Sequence, residues 1–128
     1  MRKLIITVFL FVSSMISNSN ADGHAIKMGI ILGFTGPIES LTPAMAASAE
    51  LAFKEASDSG SLLGGKYISV TRADSTCVDS AAAVTAAEGL VSGGTVAIMG
   101  ADCSGVTGAI AEKVAVPNGV VMISPSAT

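Results

Sequence analysis

The stretch Thr95–Gly108, TVAIMGADCSGVTG, decides the fold. Val96, Ala97, Ile98 and Met99 form a short apolar run of the kind that a parallel sheet buries on both faces. Gly100 breaks the run, and Ala101, Asp102, Cys103, Ser104 and Gly105 make a small polar turn. Val106, Ile110 and Val114 recur at helical spacing, which predicts a helix beginning close to Ser104. A strand that runs through a tight turn into a helix aims free backbone N–H groups at whatever sits above the strand end.

The same grammar repeats along the chain. Ile26–Leu32 reads as a first buried strand, ending in Gly33-Phe34-Thr35-Gly36-Pro37, where two glycines and a proline make a loop whose backbone can come close to a ligand. Thr42 reads as an N-cap with Pro43 at the first helical position. Met45, Ala49, Ala52, Phe53 and Ala56 follow as one apolar stripe. Tyr67–Ala73 is a second strand, Asp79 caps a helix reaching about Val91, and Gly93-Gly94 ends it. After the organising strand and its helix comes Val120–Ile123, with Ser124-Pro125-Ser126-Ala127-Thr128 as its own end turn. The order βαβαβαβ predicts an α/β fold of three layers, a parallel sheet covered by helices on both faces. Crossovers in such sheets are right-handed, and ligands gather at the carboxyl ends of the strands. The turns after the third and fourth strands therefore read as half of a binding site for a small anionic or zwitterionic ligand.

Composition narrows the function classes. Residues 1–21 read as a secretory signal peptide: Arg2 and Lys3 lead an apolar segment, Leu4–Ile16, too short to span a bilayer, and Ser19-Asn20-Ala21 is a small-residue cleavage site. The alternative is an uncleaved anchor; a lipoprotein does not fit, because no Cys stands at the cleavage point. Without Arg2 and Lys3, 107 residues remain, with five basic against ten acidic. No basic patch exists to neutralise phosphates, so nucleic acid is not an expected partner. Cys77 and Cys103 lie in an oxidising compartment on this reading, where an even count favours a disulfide. No CxxC is present and His24 is the single histidine, so no metal site is expected. The chain stops at Thr128, on a fresh strand end, and is expected to be a piece of a longer protein.

Three motifs test other chemistries. Gly60-Ser61-Leu62-Leu63-Gly64-Gly65-Lys66 matches the first seven positions of a phosphate-binding loop, but Tyr67 stands where Ser or Thr must ligate magnesium. It also leads from helix to strand, the reverse of the required order, and so reads as a connection. No G-x-G-x-x-G is present, which leaves dinucleotide binding without support beyond the fold. Asp102 occupies the place of the first Gly in a G-x-S-x-G nucleophile elbow around Ser104, and no suitably placed His follows. Ser104, Ser126 and Thr128 also read as helix caps and turn formers, the common roles of these residue types. A cap and a ligand contact are compatible, since a cap hydroxyl sits among the same free N–H groups that hold a carboxylate.

With these residues in view, the chain resembles the N-terminal part of the periplasmic substrate-binding proteins of ABC transporters, in the style of the leucine/isoleucine/valine-binding proteins of the type I fold. Four segments in order carry the resemblance: the loop Gly33–Pro37, the segment Asp74–Asp79 around Cys77, Gly100-Ala101-Asp102-Cys103-Ser104, and Met122–Thr128. The resemblance implies that residues 22–128 are a partial first lobe, the first of two that close over a ligand without performing chemistry or needing a cofactor. It implies that Cys77 and Cys103 form the family's disulfide, and that Ser104, Ser126 and Thr128 hold the α-carboxylate and α-amino group of an amino acid. Ser126 would act through its backbone carbonyl, so its side chain is expected to matter less. The implied setting is the periplasm, with the membrane permease of an ABC importer as partner and a small amino acid, aliphatic or branched-chain, or an amide, as ligand. Leu41 departs from the pattern, standing where some amino-acid binders carry an aromatic contact to the ligand's side chain. A ligand-sensing regulatory domain of the same fold and a secreted α/β enzyme are the alternatives.

Overall fold

The computed structural model describes residues 25–128; the expected signal peptide, its expected cleavage site and His24 lie outside the described residues. Strand β1 (Ala25–Leu32) is followed by α1 (Thr42–Asp58), β2 (Tyr67–Asp74), α2 (Ser80–Ser92), β3 (Ala97–Gly100), α3 (Ser104–Ile110), α4 (Val116–Asn118) and β4 (Val121–Ile123). A π turn over Ala111–Ala115 joins α3 to α4, so the helical run from Ser104 to Asn118 is continuous. The four strands form one parallel sheet in the order β2-β1-β3-β4. The expected βαβαβαβ architecture is what the structure shows.

Alternate residues of β1 serve opposite layers. Ile30 and Leu32 meet Ala46 of α1, with Met45, Ala49, Phe53, Val70 and Met99 packed around them. Ile31 faces the other way, where Ile98 joins Ala83, Ala87 and Leu90 of α2 and Val106, Ile110 and Val114 of the α3 run. Side chains alternate across a strand, so the buried end of a central parallel strand, here Ile30–Leu32, must be apolar at successive positions to satisfy helices on both sides. Val121 and Ile123 of β4 are 60% and 69% exposed.

Several local expectations need correction. Thr42 does not cap α1; it is the first helical residue, fully buried, and its hydroxyl donates to the Gly33 carbonyl at 3.1 Å. Leu41 takes the cap position, and its apolar side chain makes no cap bond. The stripe of α1 runs through Thr42, Met45, Ala46, Ala49, Phe53 and Ala56, whereas Ala52 is exposed. Those positions recur at three and four residues and share one face; Ala52, three residues after Ala49 and four before Ala56, stands at the margin of that face and is left exposed. Val96 precedes β3 and is 55% exposed, and Gly100, expected to end the run, is the last paired residue, opposite Ile31. Asp79 does cap α2, accepting from the N–H groups of Ala81 and Ala82 at 2.9 and 3.0 Å. Residues 60–66 link α1 to β2 through a short 3-10 turn at Leu62–Gly64, as a connection and not a cradle.

Candidate functional site: the carboxyl edge of the sheet

Parallel pairing brings the four strand-end turns to one edge. Two aspartates knit them together. The Asp74 carboxylate ends β2 and reaches to the β1 loop, accepting from the Thr35 hydroxyl at 2.6 Å and the Thr35 N–H at 3.3 Å, and from the Thr76 N–H at 2.8 Å. Burial pushes this carboxyl up, but the hydrogen bonds from Thr35 and Thr76 together outweigh it and hold it below the usual range. Glycine is required beside it: Gly36 has φ +97°, and a Cβ there would stand 2.5 Å from the Thr76 carbonyl oxygen.

Asp102 lies deeper, 4% exposed. Its Oδ2 accepts the Gly33 N–H of the β1 loop at 2.8 Å. Its Oδ1 accepts the Cys103 N–H at 3.0 Å and the Ser75 hydroxyl, from the β2 turn, at 3.4 Å. Its backbone carbonyl accepts the Ser126 hydroxyl, from the β4 turn, at 2.7 Å. Cys77 and Cys103 are joined in a disulfide, with Cα atoms 5.3 Å apart, which ties the β2 turn to the residue before Ser104.

The three residues singled out in the sequence meet at this edge. Cys103, not Ser104, takes the N-cap position of α3, in extended conformation and without a side-chain cap bond. Ser104 is the first helical residue, so its reading as a helix cap is overturned. The first intrahelical bond comes from the Thr107 N–H to the Cys103 carbonyl, which leaves the N–H groups of Ser104, Gly105 and Val106 pointing out of the helix end. The Ser104 hydroxyl oxygen accepts the Thr128 N–H at 3.1 Å. Its own hydrogen remains to be donated outward, since a hydroxyl both accepts and donates. Ser126 is exposed at its surface side but spends its hydroxyl on Asp102.

Three contributors were missed in the sequence: Asp102, Asp74 and Ser124. The Ser124 hydroxyl donates to the Ala101 carbonyl and accepts the Ala127 N–H at 2.8 Å and the Ser126 N–H at 3.3 Å, shaping the last turn. Each looks like an ordinary turn former in sequence; only the strand order makes them neighbours. A 160 Å³ apolar hollow lined by Met28, Phe53, Met99, Val121 and Ile123 lies away from these turns, on the α1 face of β3 and β4. The strand-end turns form an open platform able to offer hydroxyls and free N–H groups to a carboxylate.

Residues 25–128 match the family model of periplasmic binding proteins. The chain belongs to that family. Among solved structures it is similar to the branched-chain amino acid transporter substrate-binding protein LivJ of Streptococcus pneumoniae in complex with isoleucine, at 32% identity and a TM-score of 0.72, over 81% of this chain and 29% of that one. A substrate-binding protein of Desulfitobacterium hafniense in complex with Leu matches at 26% identity and TM-score 0.67, over 81% and 29%. A solute-binding protein of Rhodopseudomonas palustris in complex with benzoate matches at 28% and 0.66, over 80% and 28%. The chain thus spans less than a third of the length of these relatives. No curated protein sequence matches it.

Proposed function

We propose that the chain is the first-lobe part of the extracytoplasmic solute-binding component of an ABC importer, and that its ligand is a small zwitterion, an aliphatic or branched-chain amino acid or a close amide. The observation that carries this reading is the joining of Ser104 and Thr128 at the open start of α3. A ligand carboxylate there meets the outward N–H groups of the first helical turn, the positive end of the helix dipole and the hydroxyls of Ser104 and Thr128. Ser126 offers its backbone carbonyl to the ammonium. The relatives solved with isoleucine and Leu support an amino acid; the one solved with benzoate keeps an aromatic carboxylate as the second reading, with the same carboxylate seat.

Binding needs no chemistry from these residues, and a second lobe closing over the platform would exclude water from the ligand. Export follows from the charged start and apolar run of residues 1–21, with cleavage between Ala21 and Asp22, and the disulfide suits an oxidising compartment. The membrane permease of the importer is the partner on this reading. Titration calorimetry of the full-length gene product against L-leucine, L-isoleucine and benzoate tests it: saturable one-site binding is expected, and no binding of any amino acid or carboxylate rejects it. An intact mass that retains residues 1–21 after export rejects the cleavage site.

A further inference from the structure

We propose that Asp102 is a positioning residue that sets the geometry of the Ser104–Thr128 pair without touching a ligand itself; as a statement about affinity it rests on the function proposed above. Asp102 holds both members of that pair, each through one intermediary. On one side its Oδ1 accepts the Cys103 N–H, and Cys103 is the extended residue from which the chain enters α3 at Ser104. On the other side its carbonyl accepts the Ser126 hydroxyl, and Ser126 stands two residues before Thr128. The same carboxylate is anchored to the β1 loop through Gly33 and to the β2 turn through Ser75. A displacement of Asp102 therefore moves the start of α3 and the β4 turn relative to each other, and with them the distance between the Ser104 hydroxyl and the Thr128 N–H.

The demand is for a carboxylate and not merely for a polar side chain. Both side-chain oxygens accept a backbone N–H, Oδ1 from Cys103 and Oδ2 from Gly33. An amide in the same place puts its NH₂ group against one of those N–H donors whichever way it is turned. That leaves a buried donor unpaired, which is costly enough to shift the turn. Asp102→Asn is nearly isosteric, so it changes this pattern without opening a cavity.

The test uses the full-length gene product and three variants: Asp102→Asn, the milder Ser75→Ala, and Ile110→Val as a core control on the buried face of α3. Titration calorimetry with whichever of L-leucine, L-isoleucine and benzoate the parent binds most tightly reports both Kd and stoichiometry. Asp102→Asn should weaken Kd by about 10-fold or more at a stoichiometry near that of the parent, and Ser75→Ala by roughly twofold to fivefold. Ile110→Val should lower the melting temperature with Kd unchanged. In the ligand-free protein, amide exchange at Gly33, Cys103 and Thr128 should quicken in Asp102→Asn beyond its rate in Ile110→Val. If the parent binds none of the three ligands, the functional reading fails, while the geometric proposal is still decided by the Thr128 exchange rate. A folded Asp102→Asn protein with parental Kd, a fall in stoichiometry at unchanged Kd, or unchanged exchange at Thr128 overturns the proposal.

Discussion

The backbone N–H of Thr128 donates to the hydroxyl of Ser104 at 3.1 Å, joining the last turn of the chain to the first turn of α3. The contact spans 24 residues of sequence and depends on β3 and β4 being parallel neighbours. Removing the Ser104 hydroxyl changes two things at once: nothing there donates to a ligand, and the Thr128 N–H loses its acceptor. A hydrogen bond to a charged group is worth about 1.5–3 kcal/mol, or roughly 10- to 150-fold in affinity. Ser104→Ala and Thr128→Ala in the full-length gene product should each weaken binding by that order. Ser61→Ala, in the connection between α1 and β2, should leave it unchanged. Calorimetric titration of the three variants checks this, and parental affinity in the first two places the ligand elsewhere.

Reducing the disulfide should cost stability. Cys77 and Cys103 are 26 residues apart in sequence, and closing a loop of that length limits the unfolded chain by about 3.5 kcal/mol in the chain-entropy model. The double variant Cys77→Ala/Cys103→Ala should therefore melt well below the oxidised parent. Non-reducing peptide mapping of exported protein should recover the two cysteines linked. Two free thiols in that material would count against the pairing.

Gly36→Ala should be damaging, because its positive φ and the 2.5 Å approach to the Thr76 carbonyl leave no room for a Cβ. Relief requires the β1 loop to lift from the β2 turn, disturbing the Thr35–Asp74 bonds, at a cost of about 2 kcal/mol or more. Gly108→Ala is the matched control: nothing lies within 4 Å of its Cβ position, and helical propensity favours Ala by about 0.8–1.0 kcal/mol. Thermal unfolding of the two variants should move in opposite directions.

Asp74 gives stability an acid limb. Its folded-state pKa is lowered from 3.8, so the folded state holds the ionised form more firmly than the unfolded chain does. The resulting stabilisation is fully present above the unfolded value and is lost as pH falls through the lower folded value. The gap in unfolding free energy between parent and Asp74→Asn should therefore be constant near neutrality and shrink as pH drops below about 4. Urea titrations across that range measure it; a gap that widens on acidification would contradict the sign.

Sequence alone determined the elements and their order. Apolar runs such as Ile26–Leu32, the cap at Asp79 and the double glycine at Gly93-Gly94 are local signals, and local signals are legible because each residue's neighbours in sequence are also its neighbours in a helix or strand. The alternation of strands and helices then implied the parallel sheet, and the polar turns marked its carboxyl edge. Tertiary structure decided what those turns do to one another. Thr42 reads as a cap, yet its hydroxyl is drawn to Gly33 across the loop. Asp102 reads as one more turn aspartate, yet it is buried because β3 lies between β1 and β4, with turns from both its neighbours folding onto it. Burial turns an ordinary turn carboxylate into one whose acceptors must be matched by donors, and those donors come from Gly33, Ser75 and Cys103, while Ser126 donates to the backbone carbonyl of the same residue. No local pattern carries that information, because the partners are brought together by the strand order and not by spacing along the chain.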